Sequence, residues 1–265
     1  MLKRCIACLA CALASSHAAV AGIAPNPTGL WYDPAESGWG LTVAQQGEKL
    51  FAVLFVYDQA HQPAWYFASD LEVAQDFRPL QTAQGALYRT TGPWFGGLFS
   101  PLNVTRRVAG SVTFTLIDLN DAILTYSVDG VAVTKSIQRE TWTTENYTGS
   151  YLGGYSVTYS NCNPSSMNGA VDFGGALSVT QSGSSVTMFV ATDTGGACSF
   201  NGSYTQAGKY GQVEGTYTCG DGTSGTFVAS EMTPTINGFT SYVSGQNQYC
   251  QWSGTFGGIT RARAP

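Results

Sequence analysis

Ile123-Leu124-Thr125-Tyr126-Ser127-Val128 and Val131-Ala132-Val133-Thr134-Lys135-Ser136-Ile137 stand on either side of Asp129-Gly130. Asp-Gly between two runs rich in β-branched residues is a two-residue hairpin signal, because the favoured tight turn needs positive φ at its centre. Working outward, the pattern repeats. Arg107 to Ile117 alternates, with Val112, Phe114 and Leu116 on one face. Lys49 to Tyr57 and Ala64 to Ala68 flank a turn at Asp58 to Pro63. Leu177 to Gln181, Val186 to Ala191, Cys198 to Thr205, Val213 to Cys219 and Thr226 to Ser230 are further strand signals. Helical periodicity is almost absent, so the sequence predicts an all-β chain.

The strands fall into two similar halves. Leu41, Val43, Gln45, Gly47 and Leu50 recur 136 residues later as Leu177, Val179, Gln181, Gly183 and Val186. Thr28-Gly29-Leu30-Trp31 opens one half and Thr148-Gly149-Ser150-Tyr151 the other. Ile137 to Arg139 and Ile259 to Arg261 close them. The polar stretch Thr143 to Asn146 marks the boundary, giving domains over residues 28–143 and 146–262. About eight short strands in each half suit a small up-and-down antiparallel barrel, two in tandem. A pair of sandwiches is the alternative.

The start of the chain reads as an export signal over residues 1–21. Lys3 and Arg4 precede an apolar run, Cys5 to Ala14, and a small-residue stretch ends in Ala19-Val20-Ala21. No later segment approaches the ~20 apolar residues of a membrane-spanning helix. The expected product is a secreted chain, in the periplasm or outside the cell. It keeps four cysteines, all in the second half: Cys162, Cys198, Cys219 and Cys250. An even number in an exported chain predicts disulfides. Of the three pairings, Cys198–Cys219 with Cys162–Cys250 is preferred, because Cys198 and Cys219 flank a turn near Gly208-Lys209 at nearly equal distances. These four lack the Cys-x-x-Cys spacing of a zinc site.

Removing Lys3 and Arg4 leaves 10 basic against 17 acidic residues, a formal charge of −7. That balance disfavours nucleic acid and anionic membrane surfaces as partners. After export, His61 is the one histidine left, and no Gly-x-Ser-x-Gly elbow occurs. Asp118, Asn120 and Asp121 lack the calcium-loop spacing, so no metal or other cofactor is expected. Asn103, Asn146 and Asn201 head Asn-x-Ser/Thr triplets.

Trp31-Tyr32-Asp33-Pro34-Ala35-Glu36-Ser37-Gly38-Trp39-Gly40, with Gln45-Gln46-Gly47 and Val128-Asp129-Gly130 after it, resembles the ordered motifs of a family of exported bacterial proteins. That family has no settled activity, so the resemblance implies export and assigns no functional residue. It covers about Gly29 to Trp142 and leaves the cysteine-bearing half uncovered. The Gly-x-Trp opening is also similar to that of lipocalin and avidin barrels, an analogy of architecture alone.

Two sets of residues are candidates for function. Tryptophans gather in the first half, and Trp31, Trp39, Trp65 and Trp94 with Tyr66 are the expected ligand-binding residues, for a glycan or a small apolar ligand. Asp33 and Glu36, with Asp58 nearby, are the candidate carboxylates of a hydrolase. The competing reading of Asp33 to Gly40 is a rigid turn framed by Pro34 and two glycines. The leading expectation is a secreted, non-catalytic binding protein. An extracellular hydrolase and an envelope structural or interaction protein are the alternatives.

Overall fold

The computed structural model describes residues 26–73 and 81–260. The expected export signal, residues 1–21, and Arg261 lie outside the described residues. Within them the chain forms two closed, antiparallel, eight-stranded barrels. The first comprises β1 (Gly29–Tyr32), β2 (Gly40–Gln46), β3 (Lys49–Tyr57), β4 (Pro63–Val73), β5 (Gln81–Thr91), β6 (Thr105–Leu116), β7 (Asp121–Val128) and β8 (Val131–Arg139). The second comprises β9 (Gly149–Ser160), β10 (Gly169–Ser182), β11 (Ser185–Thr192), β12 (Ala197–Ala207), β13 (Tyr210–Cys219), β14 (Ser224–Thr235), β15 (Gly238–Asn247) and β16 (Gln251–Thr260). Strands pair in sequence order, and closure comes from β8 on β1 and β16 on β9. Both sheets close, so the barrel reading holds over the sandwich and no edge is left open.

Alternation explains the two cores. Leu50, Ala52 and Leu54 of β3 and Val112, Phe114 and Leu116 of β6 point into the first barrel. Leu177 and Val179 of β10 and Val186, Met188 and Val190 of β11 point into the second. Outward positions between them carry residues such as Ser178, Thr180 and Thr187. On β10 and β11 the outside is thus largely polar, whereas β3 and β4 of the first barrel also expose Phe51, Phe55 and Trp65. Among the described residues no helix is long and apolar enough to cross a membrane.

The sequence repeat is also a repeat of structure. The β2–β3 and β10–β11 hairpins each turn on a left-handed glycine, Gly47 at φ 57° and Gly183 at φ 58°. Asn26 Oδ1 accepts the Thr28 N–H, and Asn146 Oδ1 accepts the Thr148 N–H, both at 2.9 Å. Thr28 Oγ1 then accepts the Gln45 N–H, and Thr148 Oγ1 the Gln181 N–H, again at 2.9 Å. Trp31 Nε1 donates to the Pro27 carbonyl, and the Tyr151 hydroxyl donates to the Tyr147 carbonyl.

Arg139 joins the two barrels. It is buried and donates to the carbonyls of Leu119 at 2.5 Å, Thr28 at 2.7 Å and Asn26 at 2.5 Å. Its guanidinium lies 4.4 Å from the Trp31 ring centre and 5.0 Å from that of Tyr210 in the second barrel. Burial pulls its pKa down to about 10. Asn26 N–H to Glu231, Glu145 N–H to Gln206 and Gly208 N–H to Thr141 bond nearby, and Leu119 packs with Ala207 and Tyr210.

At its seam the second barrel brings glycines together on three strands, and at Gly153, Gly154 and Gly175 a Cβ would collide with a neighbouring backbone. Gly153 and Gly154 of β9 pair with Gly175 and Gly174 of β10 on one side, and with Gly258 and Gly257 of β16 on the other. A Cβ on Gly154 would stand 1.9 Å from the Phe173 carbonyl oxygen. The Gly154→Ala variant is therefore expected to lose about 1–3 kcal/mol of stability, the usual cost of overpacking. Thermal unfolding followed by circular dichroism checks this, and an unchanged midpoint would contradict the close approach.

Candidate functional site

Inward side chains fill only one end of the second barrel. Tyr147, Tyr151 and Phe239 pack together there, with Phe239 5.5 Å from Tyr147 and 5.1 Å from Tyr151 between ring centres. Toward the other end the rings stand along the wall and enclose a cavity of about 760 Å³. β9 contributes Tyr155, Val157 and Tyr159, β12 Phe200, β13 Tyr217, β14 Phe227, and β16 Trp252 and Phe256. The rings brace one another: Phe200 stacks on Tyr217 at 5.3 Å, and Tyr217 meets Trp252 edge-on at 5.7 Å. The volume and the mainly apolar wall lie within the range of small-molecule sites.

Four connections border the mouth. They are β9–β10 with Met167, β11–β12 with Thr194 and Gly195, β13–β14 with Asp221, and β15–β16 with Tyr249. Both disulfides are at this end. Cys162–Cys250 ties the β9–β10 connection to the β15–β16 connection, and Cys198–Cys219 joins opposed residues of β12 and β13. These are the pairings that the spacing favoured.

The cavity has few polar groups. Tyr217 is buried, and its hydroxyl oxygen accepts from Trp252 Nε1 at 3.2 Å and Asn247 Nδ2 at 3.3 Å. Asp221 lies at the rim, where its Oδ1 accepts the Thr223 N–H at 2.8 Å. Hydrogen bonds from Thr223 hold its carboxyl below the usual range. Burial, reinforced by Tyr159, Tyr217 and Asp221, pushes the Tyr155 phenol up to about 12, and burial raises Tyr159 as well. Both are neutral at physiological pH.

The expected ligand residues of the first half do not converge on one pocket. Trp31 and Tyr66 are buried in the first core, and Trp31 meets Phe114 edge-on at 5.1 Å. Trp39 is half-buried and packs against the same core. Trp65 and Trp94 are exposed, at 50% and 72%. Trp65 belongs to an outer aromatic row, 6.2 Å from Phe67, which lies 5.6 Å from Tyr88. Trp94 opens an apolar connection between β5 and β6, where Phe95, Leu98 and Leu102 are more than nine-tenths exposed.

Asp33 to Gly40 is a pinned turn. Asp33 Oδ1 accepts the Ala35 N–H, and the Asp33 carbonyl accepts the Glu36 N–H. Glu36 accepts from Lys135 Nζ at 2.5 Å and from Trp39 Nε1 at 3.1 Å. The Lys135 hydrogen bond lowers the Glu36 pKa; desolvation opposes it, and the Trp39 hydrogen bond and the lysine charge add to the lowering. A general acid needs the opposite shift. Asp58 Oδ1 caps the N–H groups of Ala60 and Gln62, and His61 is an exposed turn residue at φ 59°. Asp118 Oδ1 likewise accepts from Asn120 and Asp121 N–H, and no metal-holding cluster occurs among the described residues.

The sequence reading missed the cavity residues. The inward alternation of Tyr155, Val157 and Tyr159 was the available signal, but Tyr217 and Trp252 join it only when the barrel closes. No family model, curated protein or solved structure matches the chain.

The raised phenols set an alkaline limit. Tyr155, Tyr204 and Tyr210 each have folded-state values near 12, above their ordinary 10.0. A group raised on folding contributes stability below its unfolded pKa and loses it as pH rises through the folded value. The second barrel should therefore weaken between pH 10 and about 12. Tyrosinate absorbance titrated alongside circular dichroism is expected to lag behind free tyrosine and then rise with unfolding.

Proposed function

We propose that the protein is an exported binding protein that carries a small, largely apolar ligand inside its second barrel. The carrying observation is the cavity of about 760 Å³ walled by Tyr155, Phe200, Tyr217, Phe227 and Trp252. Burying an apolar ligand against such a wall is favourable at about 25 cal/mol per Å². Two disulfides in the same barrel fit an oxidising compartment, in keeping with the export-like start of the chain. The apolar wall favours the small apolar ligand over a glycan.

A neutral fluorescent probe, N-phenyl-1-naphthylamine, tests this reading. It is expected to brighten on binding with micromolar affinity. Ala229→Leu and Met188→Phe fill space at the wall, since both positions line the cavity. Each is expected to weaken the probe at least about tenfold by occlusion, about 1.4 kcal/mol. Trp65→Ala on the outside of the first barrel should leave binding unchanged. Binding that survives both filling variants, or that disappears with Trp65→Ala, would refute the assignment.

The interaction reading draws on a separate observation, the β5–β6 connection. Trp94, Phe95, Leu98, Phe99 and Leu102 are all well exposed on one short segment. Residues 89–108 hold three arginines and no carboxylate, against the acidic balance of the whole chain. Arg107 pairs with Asp129, while Arg106 lies over the Tyr88 ring. Rings and aliphatic chains above a basic girdle fit a lipid bilayer surface. Co-sedimentation with phosphatidylglycerol vesicles is expected, reduced several-fold in Phe95→Ser/Leu98→Ser. Protein that stays in the supernatant overturns this second reading.

A further inference from the structure

The polar groups of the cavity narrow the class of ligand, an inference that rests on the binding role proposed above. Among the described residues, the cavity wall has no lysine, arginine or histidine, and its one carboxylate is Asp221. An anionic ligand would have no counter-ion there and would lose its hydration on burial, a cost that an apolar wall does not offset. Tyr217 supplies the opposite feature. Its hydroxyl oxygen takes two donors, Trp252 Nε1 and Asn247 Nδ2. Those two bonds use its acceptor capacity and orient its own proton away from both donors. No acceptor among the described residues takes that proton, although Tyr217 is only 6% exposed. A buried donor without an acceptor is costly, and a ligand oxygen reaching it removes the cost.

We infer that the cavity selects an uncharged, largely apolar ligand bearing a hydrogen-bond acceptor, such as a carbonyl or ether oxygen, that takes the Tyr217 proton. Trp252 and Asn247 act as positioning residues, since they orient the phenol and make no claim on its proton. Tyr155 and Tyr159 line the same wall and stay protonated at neutral pH, so they add no charge that an uncharged ligand would have to meet.

Three naphthalene probes of similar size separate the outcomes by displacement of N-phenyl-1-naphthylamine. Naphthalene tests apolar binding alone, 2-acetylnaphthalene adds a carbonyl, and 2-naphthoate adds a negative charge. The ketone is expected to bind about threefold to tenfold tighter than naphthalene, the range of one net hydrogen bond. Naphthoate is expected to bind at least about tenfold weaker than the ketone at neutral pH, and to gain affinity as its carboxyl protonates near about pH 4. In Tyr217→Phe the ketone and naphthalene should bind equally. The pH arm uses the wild-type protein, so it stands even if that variant fails to fold. Naphthoate binding as tightly as the ketone, or independent of pH, overturns the charge selection. A ketone preference absent from the wild type, or kept in a folded Tyr217→Phe, overturns the role of Tyr217. If no probe and no N-phenyl-1-naphthylamine binds, the binding role itself falls, a result distinct from either.

Discussion

Closing eight strands into a ring fixes an interior of set width, and every inward position must either fill it or line it. The two barrels meet this constraint in opposite ways. In the first, Trp31, Phe114 and the leucines at 41, 50, 54, 71, 87, 116 and 124 form one buried core, and Trp39 adds a ring from the β1–β2 turn. In the second, Tyr147, Tyr151, Tyr204 and Phe239 fill the end beside the first barrel, while the remaining rings stand along the wall around open space. A hollow end gives up packing contacts that a filled core would supply. The covalent ties stand at that end. Crosslinks over 88 and 21 residues restrict the unfolded chain by about 4–5 and about 3 kcal/mol on chain-entropy grounds. One ties the β9–β10 connection to the β15–β16 connection, and the other joins β12 to β13 beside the mouth.

Arg139 shows the same economy at the junction. A buried guanidinium is tolerated only with its donors satisfied. Here the carbonyls of Leu119, Thr28 and Asn26 satisfy them, and two aromatic faces, Trp31 and Tyr210, flank the charge. The residue that closes β8 onto β1 thus also reads the neighbouring barrel. Because the Asn26 carbonyl bonds Arg139 while its N–H bonds Glu231, the start of the first barrel is fastened to the closed end of the second. The β9–β10, β11–β12, β13–β14 and β15–β16 connections, and with them the cavity mouth, lie at the opposite end of the second barrel.

Much of this was legible in the sequence. Asp129-Gly130 gave its hairpin, the Leu41/Leu177 repeat gave its equivalent strands, and cysteine spacing gave both pairings. Local rules suffice there, because turn chemistry and hairpin symmetry act between near neighbours. The tryptophans were harder. Trp65 and Tyr66 are adjacent, so one must face out if the other faces in. Which one faces in depends on the register against β3, where Leu54 opposes Tyr66 and Phe55 opposes Trp65. Composition pointed to the aromatic-rich half, yet rings that fill a barrel are not available to a ligand. The cavity collects residues from 155 to 256, and no window of sequence holds that pattern. Asn146, legible as the domain boundary and part of a glycosylation triplet, turns out to be the counterpart of Asn26 at the start of each barrel.

The duplicated plan makes the contrast between the two far ends informative. Both barrels begin with the same three bonds, Asn to Thr, Thr to Gln, and a strand-one ring to the carbonyl four residues back. Their β1–β2 and β9–β10 connections are topologically equivalent. The first carries Asp33 to Gly40 and sets Trp39 against the core, with its Nε1 bonded to Glu36, which pairs with Lys135 of β8. The second carries Cys162 and Met167, sends no ring inward to close the end, and is tied across the mouth to Cys250. The same framework therefore carries a ring against the core where an ion pair holds the connection, and borders a cavity where a disulfide holds it. The open cavity follows from what the connection does not place in the barrel, as much as from the rings that line it.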